Sequence, residues 1–231
     1  MPIINMVYKK KKWWKPWANT IAYYPFKTDT VDHSGNGVVL TMGTATPASI
    51  GYNVQWQAQF ANSNVKTISI WVNIQTVGVN NNILLACTQN RFVWCYYKHV
   101  QYALNNKFVV FTDSSFNSYT QNANLNPYIW YNIVCTFDTE SNKTYGYRNW
   151  EKILEYSWFG YNFWAENVFY NSLNNNGGAV TTDTCFLSEC IAESKARTAQ
   201  EVADYYNQTK WNYQSSSGWW GSWGSIPAEP L

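Results

Sequence analysis

A two-sheet, all-β sandwich with one short C-terminal helix is the fold class the sequence predicts, on three observations. Two central segments alternate between apolar and polar residues with the period of two that a half-buried strand shows. Clusters of Asn, Asp, Ser and Gly punctuate the chain at short intervals, as the turns of a sandwich do. The composition, 19% aromatic and only 13% charged over 231 residues, suits pleated strands joined by polar turns. Chains of this length commonly form one such domain.

The elements follow in order. Residues 19–26, Asn-Thr-Ile-Ala-Tyr-Tyr-Pro-Phe, open the domain and lead into a turn, Asp32-His33-Ser34-Gly35-Asn36-Gly37. In residues 67–74, Ile68, Ile70, Val72 and Ile74 fall on one face and Ser69, Trp71 and Asn73 on the other. Ile129, Tyr131, Ile133, Cys135 and Phe137 repeat that pattern in residues 128–137. Turn clusters are expected at residues 79–82, 105–106, 138–143 and 174–178. The helix starts at a capping box, Thr198-Ala199-Gln200-Glu201, in which the threonine hydroxyl accepts from the Glu201 N–H and the Glu201 carboxylate reaches back to the cap. Ala199, Val202, Ala203 and Tyr206 then make an apolar stripe that should lie on the sandwich.

The opening segment and the closing one, Phe186-Leu187-Ser188-Glu189-Cys190-Ile191-Ala192-Glu193 with Arg197-Thr198-Ala199-Gln200-Glu201, resemble the concanavalin A-like lectin/glucanase superfamily. The likeness is to its laminin-G-like and pentraxin-like members. It covers residues 19–210 and implies a jelly-roll sandwich of two antiparallel sheets. Residues 1–18 then form a basic, aromatic arm that should be exposed, and residues 211–231 a low-complexity tail. Such a fold hosts binding modules, enzymes and virion parts alike.

Charge and cysteine usage exclude several classes. A formal net charge of +2, from 16 basic and 14 acidic residues, points to no specific nucleic-acid partner. Cys87, Cys95, Cys135, Cys185 and Cys190 show no CxxC spacing and read as buried free thiols rather than a disulfide framework or zinc site. No stretch reaches transmembrane length, and no apolar core follows the N-terminal charges, so neither a membrane span nor a standard signal peptide is expected.

The 14 Trp are unusually placed. Trp13, Trp14, Trp56, Trp150, Trp219, Trp220 and Trp223 stand where loops and linkers ask for small residues. Asn149-Trp150 fills a hairpin position where Asn-Gly would supply the two positive-φ residues of a type I′ turn. Two readings account for this: UGA glycine codons translated as tryptophan, or true aromatic enrichment for stacking on sugars.

No Glu-x-Asp-x-x-Glu run of the glucanase type occurs, and His33 and His99 lack the context of a nucleophile triad; the chain is expected not to be an enzyme. The opening turn has two readings. Asp32 and Asn36, with Glu189 brought close as the resemblance implies, offer hard oxygen ligands for Ca2+; or Asp32 closes an Asx turn on backbone N–H groups. The expected function is a non-enzymatic lectin-like module for a glycan or cell-surface polysaccharide, located extracellularly or on a virion surface. Tyr96, Tyr97, Tyr119 and Tyr161 are its candidate sugar contacts, in loops at residues 90–101, 111–126 and 157–176. The N-terminal arm is the expected contact to a virion or surface assembly. A secreted adhesin is the alternative, and a glucanase-type hydrolase the disfavoured one.

Overall fold

The computed structural model describes residues 14–26, 29–42, 45–47, 52–54, 58–59, 65–74, 81–88, 91–99, 104–111, 118–157 and 185–213. The strands between residues 41 and 59 and between 81 and 122 are described by backbone path and register. In chain order the strands are β1 (Thr20–Tyr24), β2 (Thr41–Met42), β3 (Ala45–Pro47), β4 (Tyr52–Val54), β5 (Ala58–Gln59), β6 (Thr67–Ile74) and β7 (Asn81–Thr88). Then come β8 (Arg91–His99), β9 (Leu104–Phe111), β10 (Ser118–Asn122), β11 (Trp130–Asp138), β12 (Lys143–Arg148), β13 (Glu151–Ser157) and β14 (Cys185–Glu193). One helix, α1 (Ala199–Thr209), ends in a 3-10 turn, Lys210–Asn212.

The fold is an all-β sandwich. An eight-stranded antiparallel sheet runs β13-β12-β11-β6-β14-β4-β3, with β1 added against β14, and a four-stranded sheet runs β10-β9-β8-β7. β14 is the pivot: its first half lies between β6 and β4, its second between β6 and β1. The change occurs at a bulge between Ser188 and Ile191, where Glu189 takes φ +45°. A bulge bends a strand and re-aims its side chains, which lets one strand serve both partners.

The predicted alternation holds on the core side. Ile68, Ile70, Val72 and Ile74 join Ile133, Cys135 and Phe137 in the main core, and burial of each large aliphatic side chain contributes about 1.5–3 kcal/mol. Ile129, assigned to the same face, is exposed. The opposite face is covered as well, contrary to the half-buried strand expected. Every residue of β6 is buried, because α1, Tyr213 and Trp14 lie across that outer face. Trp71 stacks on Tyr213 with ring centroids 4.2 Å apart and on Tyr206 at 5.8 Å.

Two boundary expectations change accordingly. Trp14, assigned to an exposed arm, is 4% exposed and packs against Tyr23 and Tyr205. Tyr213, assigned to the tail, is buried beside Trp71. Aromatic rings close to a covered sheet face outweigh the solvating effect of neighbouring polar residues. Residues 105–106 and 81–82, read as turns, lie on β9 and β7.

The capping box forms as predicted: Glu201 N–H donates to Thr198 Oγ1 at 3.2 Å and Thr198 N–H to Glu201 Oε2 at 2.9 Å. The buried stripe is Val202, Tyr205, Tyr206 and Thr209. It is rotated from the predicted one, since Ala199 is exposed and the larger rings win the sheet-facing positions. Cys135 and Cys190 are buried thiols outside any disulfide, as expected; the side chains of Cys87, Cys95 and Cys185 are not among those described.

Candidate functional site

A groove of about 770 Å³ opens on the outer face of the large sheet. Strand register builds its floor. Thr136 of β11 stands opposite Tyr145 of β12, and Val134 opposite Tyr147, so these side chains share the face turned away from the main core. One wall is the connection from β14 to α1, residues 194–199; the turn at Asp138 to Glu140 forms the rim, and Trp150 and Lys152 border the far side.

Thr67 fixes the wall to the floor. It stands opposite Thr136 in the β6–β11 register, donates its hydroxyl to Lys195 O at 2.7 Å and accepts from Arg197 N–H at 2.9 Å. The Arg197 side chain is wholly buried. Nε and Nη2 reach Glu193 Oε2 and Oε1 at 2.6 and 2.9 Å, and the Trp17 and Tyr205 rings lie 4.8 and 4.7 Å from its guanidinium carbon. Planar guanidinium groups combine such two-point pairing with stacking.

Two polar atoms of this lining have no hydrogen-bond partner among the described residues: Thr136 Oγ1 and Arg197 Nη1. Leaving a buried polar group unsatisfied costs about 1–3 kcal/mol, and both atoms are closed off from the solvent of the groove. Three further charges of the lining, Lys152, Lys195 and Asp138, are engaged by neighbouring side chains. Lys152 pairs with Glu155 at 2.5 Å, and Lys195 pairs with Glu201. The Ser141 hydroxyl, helped by the N–H groups of Glu140 and Ser141 and by the Lys66 ammonium, holds Asp138 below the ordinary carboxylate range.

The opening turn takes the Asx form. Asp32 Oδ1 accepts from Tyr23 N–H and Ser34 N–H, and Oδ2 from Ser34 Oγ and Val38 N–H, at 2.7 to 3.0 Å. Burial alone would raise this carboxyl, but those donors favour the ionised form and its pKa is lowered. Four donors fill the roughly four lone-pair directions of a carboxylate. Asn36 Nδ2 donates to Thr20 O and Ile21 O. Glu189 is buried, with Oε2 accepting from Tyr205 OH at 2.7 Å. Asp32, Asn36 and Glu189 therefore do not fit a calcium site in this arrangement, and among the described residues no three His, Cys, Asp or Glu gather around a cation position. Burial, reinforced by the Glu189 charge, instead drives the Tyr205 and Tyr213 phenols well above their ordinary range.

The predicted sugar contacts lie elsewhere. Tyr96 and Tyr97 are on β8 and Tyr119 on β10, on strands rather than in loops; Tyr161 lies outside the described residues. Tyr119 pairs with Val110 and Tyr97 with Lys107. Those β9 partners are three positions apart, so the positions of Tyr97 and Tyr119 fall on opposite faces of the small sheet. His33 is an exposed turn residue bonded to Asp29 at 3.0 Å.

At the hairpin, Asn149 takes φ +59° while Trp150 is not in the positive-φ region. The expected pair of positive-φ residues does not form, and Asn tolerates that conformation better than most residues. The Trp150 ring is 56% exposed and packs on Tyr206 at 4.8 Å. Trp13, Trp56, Trp219, Trp220 and Trp223 lie outside the described residues.

Sequence reasoning missed the groove. Its one local signal was Thr136, a polar residue on the non-core side of the strand predicted over residues 128–137. Arg197 joins it only through folding.

No protein-family model matches the chain, and no curated protein matches it. Solved structures do. The botulinum neurotoxin type G receptor-binding domain aligns over 82% of this chain and 51% of its own, with TM-score 0.61 and 14% identity. The binding domain of Paraclostridial Mosquitocidal Protein 1 aligns over 82% and 52%, with TM-score 0.60 and 16% identity. A structure of botulinum neurotoxin type C, whose route into the cell depends upon interaction with two ganglioside molecules, aligns over 83% and 51%, with TM-score 0.60 and 11% identity. The chain spans about half the length of these proteins, and at such identities the likeness is one of fold.

Proposed function

We propose that this chain is a non-enzymatic, lectin-like module that binds a glycan in the outer-face groove. The carrying observation is one cleft of about 770 Å³ that is lined by tyrosines, Tyr145 and Tyr147, together with polar residues such as Asn19, Asp138, Thr139 and Lys152. Sugars are held by apolar ring contacts plus a few placed hydrogen bonds. The sequence resemblance to concanavalin A-like lectins supports this reading, as does the ganglioside dependence of a protein sharing the fold.

The state of Asp138 argues against its serving in hydrolysis. A glycosidase needs one carboxyl kept protonated as general acid, whereas Asp138 is held ionised by its own turn.

A glycan array probed with a multivalent form of the chain tests the proposal, since weak single sites become measurable when many copies act together. Binding without release of reducing sugar supports it. No binding to any glycan, or sugar release from a β-glucan, overturns it. Binding abolished by Tyr97→Ala or Tyr119→Ala, but unaffected by Tyr145→Ala, moves the site to the small sheet and the tyrosine set that includes Tyr96 and Tyr161.

The finer reading is display on the exterior of a virus particle, with the lysines of the N-terminal arm docking to the assembly; a cell-surface adhesin is the alternative, and the neighbouring genes distinguish them. The codon at residue 150 decides the UGA reading. UGA there makes residue 150 glycine and removes the ring on Tyr206, leaving Thr136, Tyr145, Tyr147 and Arg197 in place.

A further inference from the structure

We infer that the ligand is an extended chain of sugar rings, which leaves the groove across Trp150 and continues over Trp211, a second aromatic subsite beyond the C-terminal end of α1. This rests on the glycan reading of the groove and adds the length of the ligand to it. Trp150, at the tip of the β12–β13 hairpin, borders the groove and is 56% exposed. Trp211, in the 3-10 turn that ends α1, is 59% exposed. Tryptophan is highly buried on average, so two that stand more than half exposed and are linked through one neighbour suit a surface that meets a ligand.

Tyr206 is that neighbour. Its ring lies 4.8 Å from the ring of Trp150. Lys210 Nζ stands 5.5 Å from the Tyr206 centroid and 5.2 Å from that of Trp211. Tyr206 is itself buried and stacks on Trp71 of β6 at 5.8 Å, so the row Trp150, Tyr206, Lys210 and Trp211 is tied to the large sheet. Rings held in place cover the apolar face of a sugar with little loss of rotamer freedom. Trp211 is not among the residues that line the groove, so only a ligand longer than the groove site touches both.

Polar groups accompany the rings. Lys210 Nζ donates to Asn207 Oδ1 at 2.9 Å, and Asn207 is exposed. An ammonium carries three N–H groups and a side-chain amide two, so the pair keeps donors for sugar hydroxyls after bonding to each other. Aromatic surface with a few placed donors is what a sugar subsite needs. The same donors count against a lipid surface, since burying them in an apolar phase costs free energy.

The test uses the full chain and two probes, the disaccharide and the hexasaccharide of the backbone that binds best on the glycan array, titrated by calorimetry. The hexasaccharide should bind at least about tenfold tighter. Trp211→Ala should weaken hexasaccharide binding about fivefold, within the range of one aromatic contact, and leave the disaccharide unchanged. Trp211→Phe, which keeps a ring, should recover most of that loss. Thermal melting verifies that both variants fold. Equal affinity for the two probes overturns the inference and leaves the glycan reading standing, as does a Trp211→Ala effect that is the same on both probes or absent from both. If Trp211→Ala instead abolishes self-association, or binding to phosphatidylcholine vesicles, with hexasaccharide affinity unchanged, the rings belong to a second copy or a lipid surface and the inference falls. UGA at codon 150 or 211 replaces a ring with glycine and overturns it as well. Failure of every sugar to bind removes the glycan reading itself, and the inference with it.

Discussion

Arg197 and Glu193 close a two-point ion pair at 2.6 and 2.9 Å, with 0% and 1% of their side chains exposed. Glu193 is the last residue of β14 and Arg197 precedes the helix cap by one residue, so the pair ties the strand's exit to the helix's approach. Rings of Trp14, Trp17 and Tyr205 enclose it. The same pair gives the groove its wall and exhausts the fork of its buried cation.

Removing one partner should be far worse than replacing both. Arg197→Met leaves a carboxylate in a dry site and should destabilise by about 3–5 kcal/mol, whereas the double replacement Glu193→Leu with Arg197→Met should recover most of that loss. Urea denaturation of the three proteins measures both. A loss below about 1 kcal/mol for the single variant would mean the pair is effectively solvated.

Acid should weaken the opening turn. The folded-state pKa of Asp32 is lowered, so its contribution is fully present above the unfolded value of about 3.9 and is lost as pH falls through the lower folded value. Asp32→Asn should cost about 1–2 kcal/mol at pH 7, allowing for screening at a partly exposed site, and should flatten the acid limb of the melting-temperature profile. An unchanged acid limb would remove Asp32 as its origin. Glu155, held down to about 2 by the Lys143 and Lys152 hydrogen bonds, contributes with the same sign.

Calcium should leave the melting temperature unchanged. Asp32 is saturated by protein donors and Glu189 is bonded to Tyr205, so a cation would have to break existing bonds to bind. Differential scanning with millimolar calcium and then with chelator checks this, since a ligand specific to the folded state must raise stability. A calcium-dependent rise would restore the opening turn as a metal site.

The chain segment after the helix should be part of the folding unit. Tyr213 stacks on Trp71 at 4.2 Å and its hydroxyl meets Ser188 Oγ at 2.7 Å. Tyr213→Ala should cost about 3–5 kcal/mol, as other buried aromatic truncations do, and Tyr213→Phe about 1 kcal/mol. Equilibrium unfolding followed by tryptophan fluorescence reads both; equal stability of the alanine variant and the parent would make Tyr213 part of a detached tail.

How much of this was legible depended on range. The alternation of Ile68, Ile70, Val72 and Ile74 and the Thr198–Glu201 capping box are local patterns, fixed by the two-residue period of a strand and the geometry of a first helical turn. The sequence by itself therefore determined the sandwich, its central strands and the start of its helix. It also showed that Ser69, Trp71 and Asn73 share a face. It could not show that the face is covered, because the rings covering it come from Trp14 and Tyr213 at opposite ends of the described chain.

The site belongs to the same category. Thr136, Tyr145 and Arg197 become neighbours only because β14 is inserted beside β6 and its exit passes over the sheet. Asp32 in turn fills its oxygens with Tyr23, nine residues earlier, as well as with its near neighbours Ser34 and Val38. Periodicity records which residues look the same way; what they meet is decided by contacts between distant segments, and those set the burial and hydrogen-bond satisfaction on which binding depends.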